Sequence, residues 1–214
     1  MSPRLALASI VVLVLLGIGL PGHAQVSETP SLELPPALGE RDPIWAFLVN
    51  VGWFVPFERD SICPANADCI YNGGLNVRLG VERRWASGLS FGVGYDASVV
   101  DSQTVYELGV LQALTVVGKY VFFDETNVHP FLSLGAGPAL FGDTFTADTY
   151  GGVVDVTGGV ELELTHAFRL VVAIPWRILV LREFTTAQDD VRRSTSGGNT
   201  AFAVEVGAVI LEGP

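Results

Sequence analysis

The chain has 214 residues, 49% of them hydrophobic, and a formal net charge of −11. This acidic balance excludes the basic face of a typical nucleic-acid-binding protein, and Lys119 is the only lysine. Soluble surfaces are rich in charges of both signs, and the mean hydropathy here is positive at +0.43. Much of the surface is therefore expected not to face water.

The N-terminus has the pattern of a secretory signal. Arg4 precedes an uncharged apolar run over residues 5–20, and small residues up to Ala24 complete a cleavage site. A membrane anchor is the alternative, but the run is short for a spanning helix. We therefore predict that residues 1–24 are a cleaved signal peptide. Residues 25–42 are rich in Pro and Glu without a period, which predicts a flexible periplasmic lead-in.

Eight segments of alternating apolar and polar residues follow. A period of two is that of β-strands, whose side chains point to opposite faces in turn. No run in this region is as long as a transmembrane helix, so a membrane protein of this composition would be a β-barrel. The predicted strands are residues 44–56, 75–85, 89–100, 105–122, 130–141, 153–164, 168–183 and 201–212.

The connections between these segments alternate in length. The short turns are 86–88, 123–129 and 165–167, the long loops are 57–71, 142–152 and 184–200, and the loop at 101–104 is an exception. Tight turns at one end and long loops at the other, with an even number of strands, are typical of outer-membrane barrels.

The alternation alone leaves two orientations open. A soluble lipocalin-like barrel buries its apolar face, whereas an outer-membrane barrel turns that face to lipid. Here the polar face is crowded with Gly, Ala and Ser, which suits a narrow lumen, and large aromatic residues lie toward strand ends, as in interfacial girdles. These aromatic residues are Trp45, Trp53, Tyr95, Tyr106, Tyr120 and Phe122. We predict an all-β fold, an eight-stranded antiparallel up-and-down transmembrane β-barrel over residues 43–214.

Three stretches carry a resemblance to a known family. Residues 118–122 (GKYVF), 129–137 (HPFLSLGAG) and 158–161 (GGVE) are similar to strands of small bacterial outer-membrane barrels of the OmpA/OmpX-like and opacity-type porin kind. The resemblance covers residues 44–212. It implies an integral outer-membrane protein in contact with membrane lipid and lipopolysaccharide. The chain departs from the family at residues 211–214 (LEGP), where such barrels often end on an aromatic residue.

An inward polar face would fill the lumen with charge. A charge in a narrow interior must be paired, which predicts a salt-bridged network that plugs the barrel; a gated polar pore is the alternative. The predicted network comprises Arg78, Glu82, Arg84, Asp96, Glu107, Lys119, Asp155, Glu161, Glu163, Arg169, Arg177 and Glu205.

Cys63 and Cys69 are the only cysteines. An even pair in an exported protein predicts a disulfide, and the absence of a nearby His and of CxxC spacing argues against a metal site or reactive thiol. The strands contain no recognisable Ser–His–carboxylate spacing, and His129 and His166 are both predicted in short turns. We therefore expect no enzyme activity and assign no catalytic, cofactor-binding or metal-binding residue.

Three functions remain open at this stage. The leading one is a structural or surface-interaction barrel that meets an extracellular partner through loops 57–71 and 184–200, since exposed loops on a rigid scaffold carry recognition. The second is passive transport of small or hydrophobic molecules, as in OmpW-like barrels, along an apolar lumen path. The candidates for that path are Leu48, Phe54, Leu111, Val117, Phe131, Val171 and Leu179. The third is a soluble periplasmic lipocalin-like binding barrel.

Overall fold

A computed structural model describes residues 43–57, 62–63, 68–102, 105–122, 126–144, 146–186, 191–193 and 198–212. The predictions for residues 1–24 and 25–42 lie outside these described residues. Within them, no helix is long and apolar enough to cross a membrane.

Eight of the strands close into an antiparallel barrel, which confirms the predicted fold class. In chain order the strands are β1 (Ile44–Pro56), β2 (Gly74–Arg84), β3 (Leu89–Val100), β4 (Gly109–Val121), β5 (Val128–Asp143), β6 (Thr149–Thr165), β7 (Phe168–Leu181), β8 (Phe184–Thr185), β9 (Arg192–Arg193) and β10 (Asn199–Glu212). The order around the barrel is β1-β10-β7-β6-β5-β4-β3-β2, and β8 and β9 form a separate two-stranded sheet. Barrel strands that follow one another in the sequence therefore pair with one another, and β1 pairs with β10 to close the ring.

The largest differences from the predicted bounds lie in two regions. β4 begins at Gly109 rather than at residue 105, because Val105 and Tyr106 turn inward and are buried. β5 and β6 extend beyond their predicted ends and are joined by residues 144–148. The long loop predicted at 142–152 is therefore mostly strand, and this prediction was wrong.

The alternation sends charge inward and apolar side chains outward. On β7, Ile174 is 56% exposed, whereas Arg177 on the opposite face is 8% exposed. A soluble barrel requires the reverse arrangement, so the lipocalin-like alternative does not fit. The outward apolar residues of β7 run from Leu170 to Val180, which at about 3.3 Å per residue and a tilt near 40° makes a band roughly 25 Å tall.

Apolar side chains also fill both ends of the barrel interior. At the end with the long loops, a mouth cluster includes Phe54, Ile62, Ile70, Tyr71, Tyr106, Leu111, Phe141, Leu179 and Phe184. At the end with the short turns, a turn-end cluster comprises Ala46, Val121, Phe131, Val171, Ala173, Val209 and Leu211. Strand residues supply the turn-end cluster, whereas loop residues such as Ile62 and Tyr71 help to fill the mouth.

Candidate functional site

The lumen charges lie in two layers between the apolar clusters. The mouth-side layer contains Arg78, Asp96, Asp155, Arg177 and Glu205, all of them buried. Arg78 Nε lies 3.0 Å from Asp96 Oδ1, and its Nη2 lies 3.4 Å from Asp155 Oδ1. Arg177 pairs with the same Asp96 oxygen, and its Nη2 is 3.6 Å from Glu205 Oε1. Each arginine thus bridges at least two carboxylates.

Neutral polar side chains complete the mouth-side layer. The amide groups of Asn76 and Asn50 donate to the two oxygens of Glu205, at 2.8 Å and 3.1 Å. Ser98 Oγ donates to Asn76 Oδ1 at 2.7 Å. The sequence prediction named only charged residues and missed these partners. The alternation in the sequence could have identified them, because Asn50, Asn76 and Ser98 occupy inward positions of their strands.

The turn-side layer is centred on Glu161, which is fully buried. Arg84 Nη1 and Nη2 donate to Glu161 Oε2 and Oε1 at 2.9 Å and 3.0 Å. Lys119 Nζ lies 2.8 Å from Glu161 Oε1 and 3.1 Å from Glu82 Oε2. Arg169 Nη1 approaches Glu161 Oε2 at 3.3 Å. One carboxylate therefore forms ion pairs with three cations.

Glu163 forms the edge of this layer at the turn between β6 and β7. Its Oε2 lies 3.2 Å from Arg169 Nη2 and 3.2 Å from His129 Nε2, and its Oε1 lies 3.2 Å from His166 Nδ1. His166 is exposed in the turn, as predicted. The prediction of a turn position for His129 was wrong, because His129 is fully buried on the longer β5.

Glu107 does not belong to the network. The prediction placed it in the lumen by continuing the alternation of β4 back to residue 105. It is instead exposed, two residues before β4 begins. Tyr106, which was predicted to be a lipid-facing girdle residue, is buried in the mouth cluster instead. The structure brings all the other predicted network residues together in the two layers.

A small cavity separates the layers. Its volume is about 30 Å³, and its lining includes Asn50, Arg78, Glu82, Lys119 and Ser133. A second space of about 10 Å³ lies on the mouth side, against Tyr71 and Arg177. The first volume suffices for about two water molecules, and Asn50 Oδ1 is a buried acceptor that receives no protein hydrogen bond.

Described residues of two loops lie at the mouth and are held there by different contacts. Cys63 and Cys69 form the predicted disulfide, and Ile62 and Ile70, directly outside the bridge, are fully buried. From the other loop, the buried Arg193 donates to the carbonyl of Asp68 at 2.9 Å. A buried cation therefore connects the β8–β9 sheet to the disulfide loop.

Burial also changes the ionisation of the mouth tyrosines. Removal from solvent raises the pKa of Tyr71 to about 12. Burial likewise raises the pKa of Tyr106, and the nearby carboxylate of Asp148 adds to that effect. Both hydroxyls therefore remain protonated at neutral pH.

The chemistry of this arrangement is charge pairing. In the two layers, guanidinium and ammonium groups hold the carboxylates through charge-assisted hydrogen bonds, a geometry that fixes the positions of both partners. Among the described residues, no group of three or more His, Cys, Asp or Glu side chains is placed to hold a metal ion.

No family model matches the chain. No curated protein is similar to it in sequence. Solved structures do match its fold. Neisserial surface protein A superposes with a TM-score of 0.57 at 11% identity, covering 78% of this chain and 96% of that one. The outer membrane protein OprG from Pseudomonas aeruginosa gives 0.54 at 10% identity, covering 83% of this chain and 99% of that one.

At these identities the similarity concerns the fold. The chain has the fold of a small eight-stranded outer-membrane β-barrel. The outward apolar band agrees with that fold, because a continuous band of large exposed apolar side chains marks a membrane or protein–protein surface.

Proposed function

We propose that this chain is an integral protein of the bacterial outer membrane whose lumen is closed and whose loops act at the cell surface. Residues 1–24 direct export and are removed, and residues 25–42 lead into the barrel from the periplasm. The apolar band and the barrel fold support the membrane location. The outward face contacts membrane lipid, including lipopolysaccharide in the outer leaflet.

The observation that carries the closed lumen is the pairing of its charges across the barrel. Arg78, Arg84 and Arg177 each bind carboxylates on strands other than their own. Side chains fill the lumen of eight-stranded barrels in general, and here the filling is cross-linked. An ion that entered would have to displace charge-assisted hydrogen bonds in a poorly hydrated space.

An apolar transport path is less well supported. Phe54, Leu111 and Leu179 belong to the mouth cluster, whereas Leu48, Phe131 and Val171 belong to or pack on the turn-end cluster. The two charge layers separate these groups. A hydrophobic solute moving down the lumen would therefore have to cross both layers.

The role that this architecture suits is recognition by the loops, without enzyme activity. Loops 57–71 and 184–200 are the candidate contacts with an extracellular partner. The disulfide closes the first loop, Ile62 and Ile70 beside it are buried in the mouth cluster, and Arg193 connects the second loop to Asp68. A rigid base lowers the entropic cost of binding.

Conductance in planar bilayers tests the closed lumen. Refolded protein is expected to give no large, stable channels, whereas an Arg84→Ala/Arg177→Ala variant, which removes two bulky side chains from the lumen, should give measurable current. Heat-modifiable migration on a gel verifies that both samples are folded. Large steady channels from the unaltered protein would contradict closure and favour transport. Release by osmotic shock without detergent would contradict the membrane location.

A further inference from the structure

The outward face of the barrel is almost devoid of positive charge. Arg83, near the end of β2, is the one cation on an outward position of the described barrel strands, because Arg78, Arg84, Lys119, Arg169 and Arg177 are all buried in the lumen. Arg182, just after β7, faces outward at the opposite end of the barrel. The position of Arg83 on this otherwise apolar face therefore needs a physical explanation.

Arg83 lies within a group of outward aromatic side chains. Its guanidinium carbon is 5.0 Å from the ring centre of Trp45, a distance at which cation–π attraction operates. Its register partner on β3 is Phe91, which packs edge-on against Trp85 at 6.2 Å. Trp45 is 46% exposed, so the stack remains open to the surroundings.

This position coincides with a lipid headgroup region. Arg83 is next to the short turn that joins β2 and β3, where the apolar band ends. Arginine on the lipid face is strongly destabilising at mid-bilayer but is tolerated near the interface. Trp is enriched at that same depth.

The charge of Arg83 has no ion-pair partner among the described residues. Its neighbour Glu82 points into the lumen, where it pairs with Lys119. Glu212 faces outward, but it lies beyond Trp45 on the far side of β1, roughly 10 Å away at the usual strand spacing. A planar guanidinium binds carboxylate or phosphate through two parallel hydrogen bonds, and phosphate is the anion that a phospholipid headgroup carries.

We propose that Arg83, stacked on Trp45 and flanked by Trp85, binds the phosphate group of an anionic glycerophospholipid at the short-turn end of the barrel. The proposal rests on the membrane location proposed above, which places this end in the periplasmic leaflet. The ring of Trp45 holds the guanidinium at the surface, and the acyl chains of the lipid cover the outward apolar residues above it.

The four tryptophans provide an internal control for the test. Trp45 and Trp85 lie at this end, whereas Trp53 and Trp176 lie toward the mouth on β1 and β7. The ¹⁵N-labelled protein, folded in a non-ionic detergent, is titrated with short-chain phosphatidylglycerol while the four indole N–H signals are followed. We expect saturable shifts at Trp45 and Trp85 alone. Arg83→Gln should raise the apparent Kd for the lipid by at least about fivefold. The matched Arg182→Gln variant should leave that Kd unchanged.

The outcomes separate this site from the proposed function. Equal shifts of all four indoles, or an unchanged Kd in Arg83→Gln, would overturn the phosphate site while leaving a folded barrel. Identical shifts with inorganic phosphate would overturn the lipid as the occupant. A chain that fails to give a heat-modifiable, detergent-resistant barrel would instead overturn the membrane location itself.

Discussion

Arg84 and Glu161 face each other across the full width of the lumen and are joined by two parallel hydrogen bonds of 2.9 Å and 3.0 Å. Arg84 lies on β2 and Glu161 on β6, and three strands separate them in either direction around the ring. Arg78 and Asp155 connect the same two strands nearer the mouth. The barrel is therefore braced across its diameter at two levels.

Neutralising the centre of the turn-side layer should destabilise the barrel strongly. Glu161→Gln leaves Arg84, Lys119 and Arg169 without their common carboxylate, and loss of one partner from a buried pair costs about 3–5 kcal/mol. Arg84→Gln should cost less, because Glu161 keeps Lys119 and Arg169. Urea unfolding in lipid vesicles measures both free energies.

Glu107→Gln is the matched control for this series. Glu107 is exposed outside the strands, so its substitution should change the free energy of unfolding by no more than about 0.5 kcal/mol. A loss at Glu107 as large as that at Glu161 would contradict the placement of these two carboxylates.

A charged side chain at an outward position in the middle of the apolar band should destabilise the folded barrel. Val93 on β3 is exposed between Val81 on β2 and Val116 on β4, and Val93→Arg should cost about 2–4 kcal/mol in a bilayer. Leu89→Arg, on the same strand next to the turn, should cost only about 0–1 kcal/mol. Equal, small costs at both positions would mean that this face does not contact lipid.

Ionisation of Tyr71 at alkaline pH should destabilise the mouth cluster. The folded-state pKa is about 12 against an ordinary value of 10.0, so the folded state holds the phenolic proton more tightly. The associated stability is complete below about pH 10 and is lost as the pH rises to about 12. Tyrosinate absorbance of the folded protein, minus that of Tyr71→Phe, should show one ionisation near pH 12. An ionisation near pH 10 in that difference would place Tyr71 outside the mouth cluster.

Removing the disulfide should free the loop without unfolding the barrel. A bridge with a sequence separation of 6 contributes about 2 kcal/mol by the loop-entropy estimate, which corresponds to a roughly thirtyfold rise in the open population. Hydrogen exchange of the backbone amides of Ile62 and Ile70, which are buried beside the bridge, should accelerate in the Cys63→Ser/Cys69→Ser variant in vesicles. Unchanged exchange, with heat-modifiable migration preserved, would show that other contacts hold the loop.

The alternation of apolar and polar residues was enough to predict the fold, since it assigns each side chain of a strand to one of the two faces. β1 occupies the predicted residues 44–56, and the inward charged positions of β2, β3, β6 and β7 follow from the same rule. The rule failed where alternation continued past the end of a strand. Tyr106 and Glu107 keep the period of β4, but the chain enters that strand only at Gly109.

The contacts within the lumen could not be predicted in the same way. Alternation gives the face of a residue, whereas the partner across the barrel depends on the stagger between strands, which closure fixes. The pairing of Arg84 with Glu161 rather than Asp155 is set by that stagger. Arg193 illustrates a second limit, because a loop residue has no period, and only the folded mouth places it against Asp68.

The bracing across the diameter has a consequence for assembly. A sheet that contains β2 through β6 but has not yet curled holds Arg84 and Glu161 far apart, each without its principal partner. The free energy of these pairs is gained only when β1 joins β10, so partly closed intermediates bear the desolvation cost without the compensation. We therefore expect insertion of this barrel to be cooperative, because pairing of β1 with β10 completes the ring that holds the two ends of each cross-lumen pair together.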